Sequence, residues 1–178
     1  FNSKVILLGD GGNSTILKPY NNAVAIMTYT FTAQQTPVYS FWDYHSEVHG
    51  IGFWGKTTKT GVGFTFGTTV PANYTTNMEY ANNVKFFGCK FTNLQKGVQF
   101  PFGNIGTEFY SCGWGGNYYG VYTMNNKFGS AMHAGLKYFY SGYFGSNDVA
   151  FYFNNTIDGA GGVSFYSTTF EGNSIAAY

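Results

Sequence analysis

Residues 86–100 read Phe86, Phe87, Gly88, Cys89, Lys90, Phe91, Thr92, Asn93, Leu94, Gln95, Lys96, Gly97, Val98, Gln99 and Phe100. Three core-type positions at 0, +3 and +5 (Phe86, Cys89, Phe91) are followed by a polar turn and a second apolar strand (Gly97, Val98, Phe100). The signature recurs at Val48, Ile51 and Phe53 with Gly61, Val62 and Phe64, and at Phe109, Cys112 and Trp114 with Gly120 and Val121. It recurs again at Tyr138, Ser141 and Tyr143 with Val149 and Phe151, and at Phe165, Thr168 and Phe170 with Ile175. Strands place alternate side chains on opposite faces, so positions 0 and +3 share a core only if the backbone bends between them. Coils of short strands stacked about 4.8 Å apart meet that demand, and loops of any length can leave between coils without disturbing the stack. The varying intervals between repeats fit this arrangement. A propeller or sandwich would need hairpin turns and longer strands. The expected fold is therefore all-β: a right-handed parallel β-helix forming a single domain over residues 1–178.

Composition agrees. Of 178 residues, 16 are Tyr, 19 are Phe and 25 are Gly. Aromatics favour strands, and glycine supplies turns. Few windows carry a helical apolar period. Charged residues are only 10% and the formal charge is +1, so no basic patch points to nucleic acid. No apolar run is long enough to span a membrane. The chain begins at Phe1 without a signal-peptide pattern, and the repeat runs on to Tyr178. An interior section of a longer chain, open at both ends, is expected.

The repeat predicts which residues stack. Cys89 and Cys112 share a slot on adjacent coils, where parallel side-chain vectors suit buried thiols better than a bridge. Lys85, Glu108 and Lys137 share the slot before the first core position and are expected as an outer ladder of alternating charge. Phe87, Tyr110, Phe139 and Tyr166 share the slot after it. Facing outward, they need a cover such as a sugar chain or another subunit; facing inward, they are core.

The phrase Val5, Ile6, Leu7, Leu8, Gly9, Asp10, Gly11, Gly12, Asn13, Ser14, Thr15, Ile16, Leu17, Lys18 reads as strand, glycine turn and strand. With no helix following and Pro19 close by, it is a poor nucleotide-binding loop. It resembles an early coil of the pectate-lyase-like superfamily, in the branch that includes bacteriophage tailspikes. Gly97, Val98, Gln99 and Phe100 after Phe91, Thr92 and Asn93 also resemble a coil of that family. The resemblance implies recognition of a bacterial surface polysaccharide, often with cleavage, by a homotrimer in a virion tail. It implies paired carboxylates for hydrolysis. The arginine base of the lyases has no counterpart, since all nine cationic residues are lysines.

Among the eight acidic residues, Asp43, Glu47 and Glu79 are the candidate catalytic residues. Asp43 and Glu79 precede the first core positions of their coils by similar distances, as do Asn104 and His133, so a polar strip along one edge is expected. The longest insertion, Thr68 to Asn83, would wall a groove there. Trp42, Tyr44, His49, Trp54, Asn104 and His133 are the candidate substrate-binding residues, because a sugar offers an apolar face to aromatics and hydroxyl edges to polar groups. Glycoside hydrolysis requires carboxyls roughly 5 Å apart for retention or 6.5–9.5 Å apart for inversion. His45, Glu47 and His49 alternate as metal ligands on a strand would, but no metal and no cofactor is expected. Two other readings stay open. One is a non-catalytic β-helical shaft or adhesin of a viral fibre. The other is a secreted polysaccharide-degrading enzyme, for which sequons at Asn13, Asn73 and Asn154 would matter only in a eukaryotic secretory setting.

Overall fold

The parity problem in each repeat is solved at one residue. Gly50, Gly88, Ser111, Ser141 and Ser167 sit two positions after the first core residue, and all five have φ between 50° and 59°. This left-handed conformation costs a side chain some strain, which glycine avoids and a short polar side chain tolerates. A second such residue (Asn93, Gly116, Ser146 or Gly172, φ 55° to 65°) turns the chain again after the second strand. Each of the last four coils is thus three short strands joined by two tight corners, each turned at one left-handed residue.

The computed structural model describes residues 5–22, 24–29, 46–66, 81–82, 84–100, 104–123, 137–153 and 163–177. The strands form three parallel sheets of six, the architecture of a right-handed parallel β-helix. The first sheet holds Ile6–Leu8, Ser46–His49, Val84–Phe87, Thr107–Tyr110, Lys137–Tyr140 and Val163–Tyr166. The second holds Thr15–Leu17, Ile51–Trp54, Lys90–Thr92, Gly113–Gly115, Tyr143–Gly145 and Thr169–Glu171. The third holds Ala25–Tyr29, Val62–Phe66, Lys96–Phe100, Tyr119–Thr123, Val149–Phe153 and Ile175–Ala177. A short parallel pair, Ala81–Asn82 with Asn104–Ile105, forms a fourth sheet. The glycine phrase at the start is a full sixth coil, with Leu7 opposite Val48 and Leu17 opposite Phe53.

Like residues stack in the core. Phe86, Phe109, Phe139 and Phe165 follow one another in the first sheet with ring centroids 4.8–4.9 Å apart. Phe53, Phe91, Trp114, Phe144 and Phe170 do so in the second, at 4.4–5.5 Å. Each buried ring contributes about 1.5–3 kcal/mol of transfer energy, and each offset pair about 0.5–1.5 kcal/mol more. The third sheet comes so close to these rings that one of its inward slots accepts only small residues. A Cβ on Gly97 would lie 2.5 Å from the Gly120 carbonyl oxygen and 2.8 Å from Trp114 Cδ1.

Three details differ from the sequence reading. The fourth repeat is framed one residue later: Phe139, Gly142 and Phe144 face the core, and Ser141 is the corner. In the second coil, Gly63, Phe64 and Phe66 match Gly97, Val98 and Phe100, two positions beyond the expected Gly61, Val62 and Phe64. Lys137 leaves the outer charge ladder. It lies opposite Thr107 in an inward row, fully buried, with Nζ 4.6 Å from the Phe100 ring centroid.

Cys89 and Cys112 are free buried thiols, as expected. Each donates to a carbonyl of the preceding coil: Cys89 Sγ to Val48 O at 3.3 Å, Cys112 Sγ to Phe86 O at 3.5 Å. Thr168 repeats the contact with its hydroxyl, to Phe139 O at 3.2 Å.

The second corner holds a ladder that the repeat signature does not include. Asn117, Asn147 and Asn173 succeed Leu94 in one slot. Asn117 Nδ2 donates to Phe91 O and Asn147 Oδ1, both at 2.9 Å. Asn147 Nδ2 donates to Trp114 O at 3.0 Å and Asn173 Oδ1 at 2.8 Å, while its Oδ1 also accepts the Asn117 backbone N–H at 3.1 Å. Removing a partner from buried polar groups costs about 1–3 kcal/mol per group left unpaired. Asn147→Ala should therefore lower stability by about 2–3 kcal/mol, read as a drop in the urea midpoint. Asn173→Ala, on the partly exposed last coil, should cost less.

Candidate functional site

On each first-sheet strand two residues face outward, and stacking turns them into two rows. One row runs Ile6, Glu47, Lys85, Glu108, Tyr138 and Ser164; the other runs Leu8, His49, Phe87, Tyr110, Tyr140 and Tyr166. The expected outer aromatic slot exists, with Tyr140 in place of Phe139 and with His49 as a further member. Five rings stack in it. Their centroids are 4.5 Å apart for His49–Phe87, 4.9 Å for Phe87–Tyr110, 4.8 Å for Tyr110–Tyr140 and 5.0 Å for Tyr140–Tyr166. Interplanar angles of 8° to 15° mean that neighbouring rings cover one another's faces. The surface shows ring edges and tyrosine hydroxyls, apart from Tyr166 at the end of the stack, which is 50% exposed.

The charged row runs alongside. Glu47 Oε2 lies 2.8 Å from His49 Nε2, and Lys85 Nζ lies 3.3 Å from Glu108 Oε1. Tyr110 donates its hydroxyl proton to Glu108 Oε2. Burial, and then the adjacent Glu108, raise the Tyr110 hydroxyl above the ordinary tyrosine range; burial and Glu108 raise Tyr140 in the same way. Both hydroxyls therefore stay protonated and able to donate. Glu47 and Glu108 stand two strands apart with Lys85 between them, a backbone separation of about 9.6 Å at the usual strand spacing.

Of the expected site residues, Glu47 and His49 come together on this face. Trp54 does not join them: it lies on the outer face of the second sheet, with Lys18 Nζ 5.9 Å from its ring centroid. Asn104 pairs by its backbone with Ala81 in the two-stranded sheet. Trp42, Asp43, Tyr44, Glu79 and His133 lie outside the described residues, as does His45. They belong to segments 30–45, 67–80 and 124–136. Among the described residues no group of three His, Cys, Asp or Glu side chains is placed to hold a metal. No helix among them is long and apolar enough to cross a membrane.

Tyr138 and Tyr140 were missed as outer residues because of the one-residue slip. A clear signal was present: Phe-Tyr-Ser occurs at 109–111, 139–141 and 165–167, always as core residue, outer ring and corner. Comparison with protein-family models, curated proteins and solved structures finds no match to this chain. The fold and its exposed rows therefore define the class: a right-handed parallel β-helix with an aromatic and carboxylate-bearing outer face.

Lys137 gives this region a pH signature. Burial pushes its ammonium down to about 7. Between that value and the ordinary lysine range the unfolded chain binds more protons than the folded one, so this group adds stability as pH rises from 7 toward 10. Lys137→Met should be more stable than wild type at pH 7, and the gap should narrow steadily toward pH 10 in thermal melts.

Proposed function

We propose that this chain is the glycan-recognising section of a tailspike-type protein, binding a bacterial surface polysaccharide on the outer face of the first sheet. The observation that carries the reading is the five-ring stack beside Glu47, Lys85 and Glu108. An extended polysaccharide presents hydroxyl groups at regular intervals, and the ladder presents donors and acceptors at regular intervals on a rigid frame. Rigid placement reduces the entropy lost on binding. A row of partly exposed aromatic side chains outside the core also favours a binding surface over simple decoration.

Cleavage on this face falls to Glu47 and Glu108. Their backbones stand about 9.6 Å apart, just above the 6.5–9.5 Å that inverting hydrolysis requires between the carboxyls themselves, one of which protonates the leaving oxygen while the other activates water. Glu108, which is ion-paired with Lys85 and accepts a hydrogen bond from Tyr110, takes the base role, and Glu47, beside His49, the acid role. The tailspike part of the proposal rests on the β-helix together with the phrases at 5–18 and 91–100. It carries with it a homotrimer in a virion tail.

Incubation with polysaccharide from a susceptible host should release oligosaccharides. Glu47→Gln and Glu108→Gln should each abolish release and keep binding, while Tyr140→Ala should weaken binding about tenfold. Binding without release by the wild type reduces the protein to an adhesin. No binding at all leaves a structural shaft, and a stable monomer that releases oligosaccharides points to a secreted enzyme.

A further inference from the structure

The outer face of the third sheet carries a second aromatic cluster, unrelated to the first-sheet ladder. One outward row passes through Val62, Lys96, Tyr119 and Val149; the next passes through Thr65, Gln99, Tyr122 and Tyr152. Tyr122 and Tyr152 stack with centroids 5.0 Å apart. Tyr119 leans on both, at 4.9 Å and 5.3 Å, with planes tilted by 59° and 60°. Tyr118, 45% exposed, meets Tyr119 edge-on at 4.6 Å. Tyr118 and Tyr119, tilted against their neighbours, do not stack face to face, whereas Tyr122 and Tyr152 do, like the rings of the first sheet.

Lys96 stands at the edge of this cluster. Its Nζ lies 4.3 Å from the Tyr122 ring centroid and donates to Gln99 Oε1 at 3.3 Å. Burial lowers the Lys96 ammonium below the ordinary lysine range, and burial raises Tyr119 and Tyr122. Among the described residues Lys96 is the single charged side chain in these two rows. A partly desolvated cation held by an aromatic ring and an amide, with no carboxylate acting on it among the described residues, is complementary to an anion. Contact between two copies of this face would bring like charges together, which disfavours self-association here.

We propose that this tyrosine cluster is a binding subsite for an acidic pyranose, whose ring packs on the tilted tyrosines and whose carboxylate meets Lys96. The proposal rests on the polysaccharide reading and adds to it the class of sugar and a second point of contact. A carboxylate on Lys96 forms a charge-assisted hydrogen bond, stronger than the amide contact it replaces.

The test is calorimetric titration of the full chain with β-1,4-mannuronate hexasaccharide and with β-1,4-mannohexaose, which share ring and linkage and differ in the carboxylate. The mannuronate should bind more tightly and lose affinity with added salt. Lys96→Gln should weaken mannuronate binding about tenfold or more while leaving the neutral sugar unchanged. Lys96→Arg should retain the preference, and Tyr122→Ala should weaken both sugars. Equal binding of the two sugars, no binding of mannuronate, or an unchanged Lys96→Gln overturns the subsite. If these variants have no effect but Tyr140→Ala still weakens binding to host polysaccharide, the subsite fails and the first-sheet reading stands. If Tyr140→Ala is also without effect, that reading fails as well.

Discussion

Every feature of this molecule depends on the parallel hydrogen-bond ladder between coils. Backbone N–H groups bond to carbonyls of a neighbouring coil, as in Gly50 N to Phe87 O and Tyr143 N to Cys112 O. The ladder repeats at the strand spacing, about 4.8 Å. A side chain is therefore never alone: it meets its counterpart on the coil above and the coil below at a fixed distance. Only side chains that tolerate their own kind can fill such a slot. Flat rings do so by stacking, asparagines by donating in one direction and accepting in the other, and charges by alternating in sign, as Glu47, Lys85 and Glu108 do. The same constraint explains the three serines at the first corner. Once a left-handed residue is required there, a short polar side chain exposed to solvent is the least costly substitute for glycine.

The fold was legible because this constraint writes itself into the chain at short range. Core residues at 0, +3 and +5 reflect one strand, one corner and the next strand, with no long-range information needed. Frames were less legible. Tyr138, Ser141 and Tyr143 satisfy the apolar pattern nearly as well as Phe139, Gly142 and Phe144, since tyrosine is half apolar and serine is small. Lys137 shows the consequence. In the shifted frame it completed an attractive alternation with Lys85 and Glu108, whereas it is buried beside Phe100. Charge alternation is weak support for a frame, because lysine's long stem lets it serve in either place. The asparagine ladder stayed hidden for another reason. Its first position is Leu94, so the slot shows its polar character only from the third repeat onward.

The site divided along similar lines. Residues on strands could be placed relative to one another from sequence once the frame was right, which is why Glu47 and His49 fell on one face. Trp54 lies only five residues beyond His49, yet the corner at Gly50 sends it to a different sheet. Proximity along the chain is thus a poor guide to shared function in this architecture, and equivalence across coils is a good one. Lys85 and Glu108 were expected only as members of an outer charge ladder. They gain significance from the rings beside them, a relation visible only when both outward rows are read together.

The two aromatic faces show how one backbone yields different chemistry. In the first sheet, rings occupy the same slot on consecutive coils, so the ladder forces them face to face and exposes edges and hydroxyls. In the third sheet, Tyr119 occupies one row and Tyr122 and Tyr152 the next, so Tyr122 and Tyr152 stack while Tyr119 tilts against both. A ligand meeting the first surface finds polar rims backed by carboxylates; one meeting the second finds the tilted Tyr118 and Tyr119 beside a cation. The difference in ring geometry follows from register. The character of an aromatic face in this β-helix is accordingly set less by how many aromatic residues it displays than by whether the coils place them in one row or two.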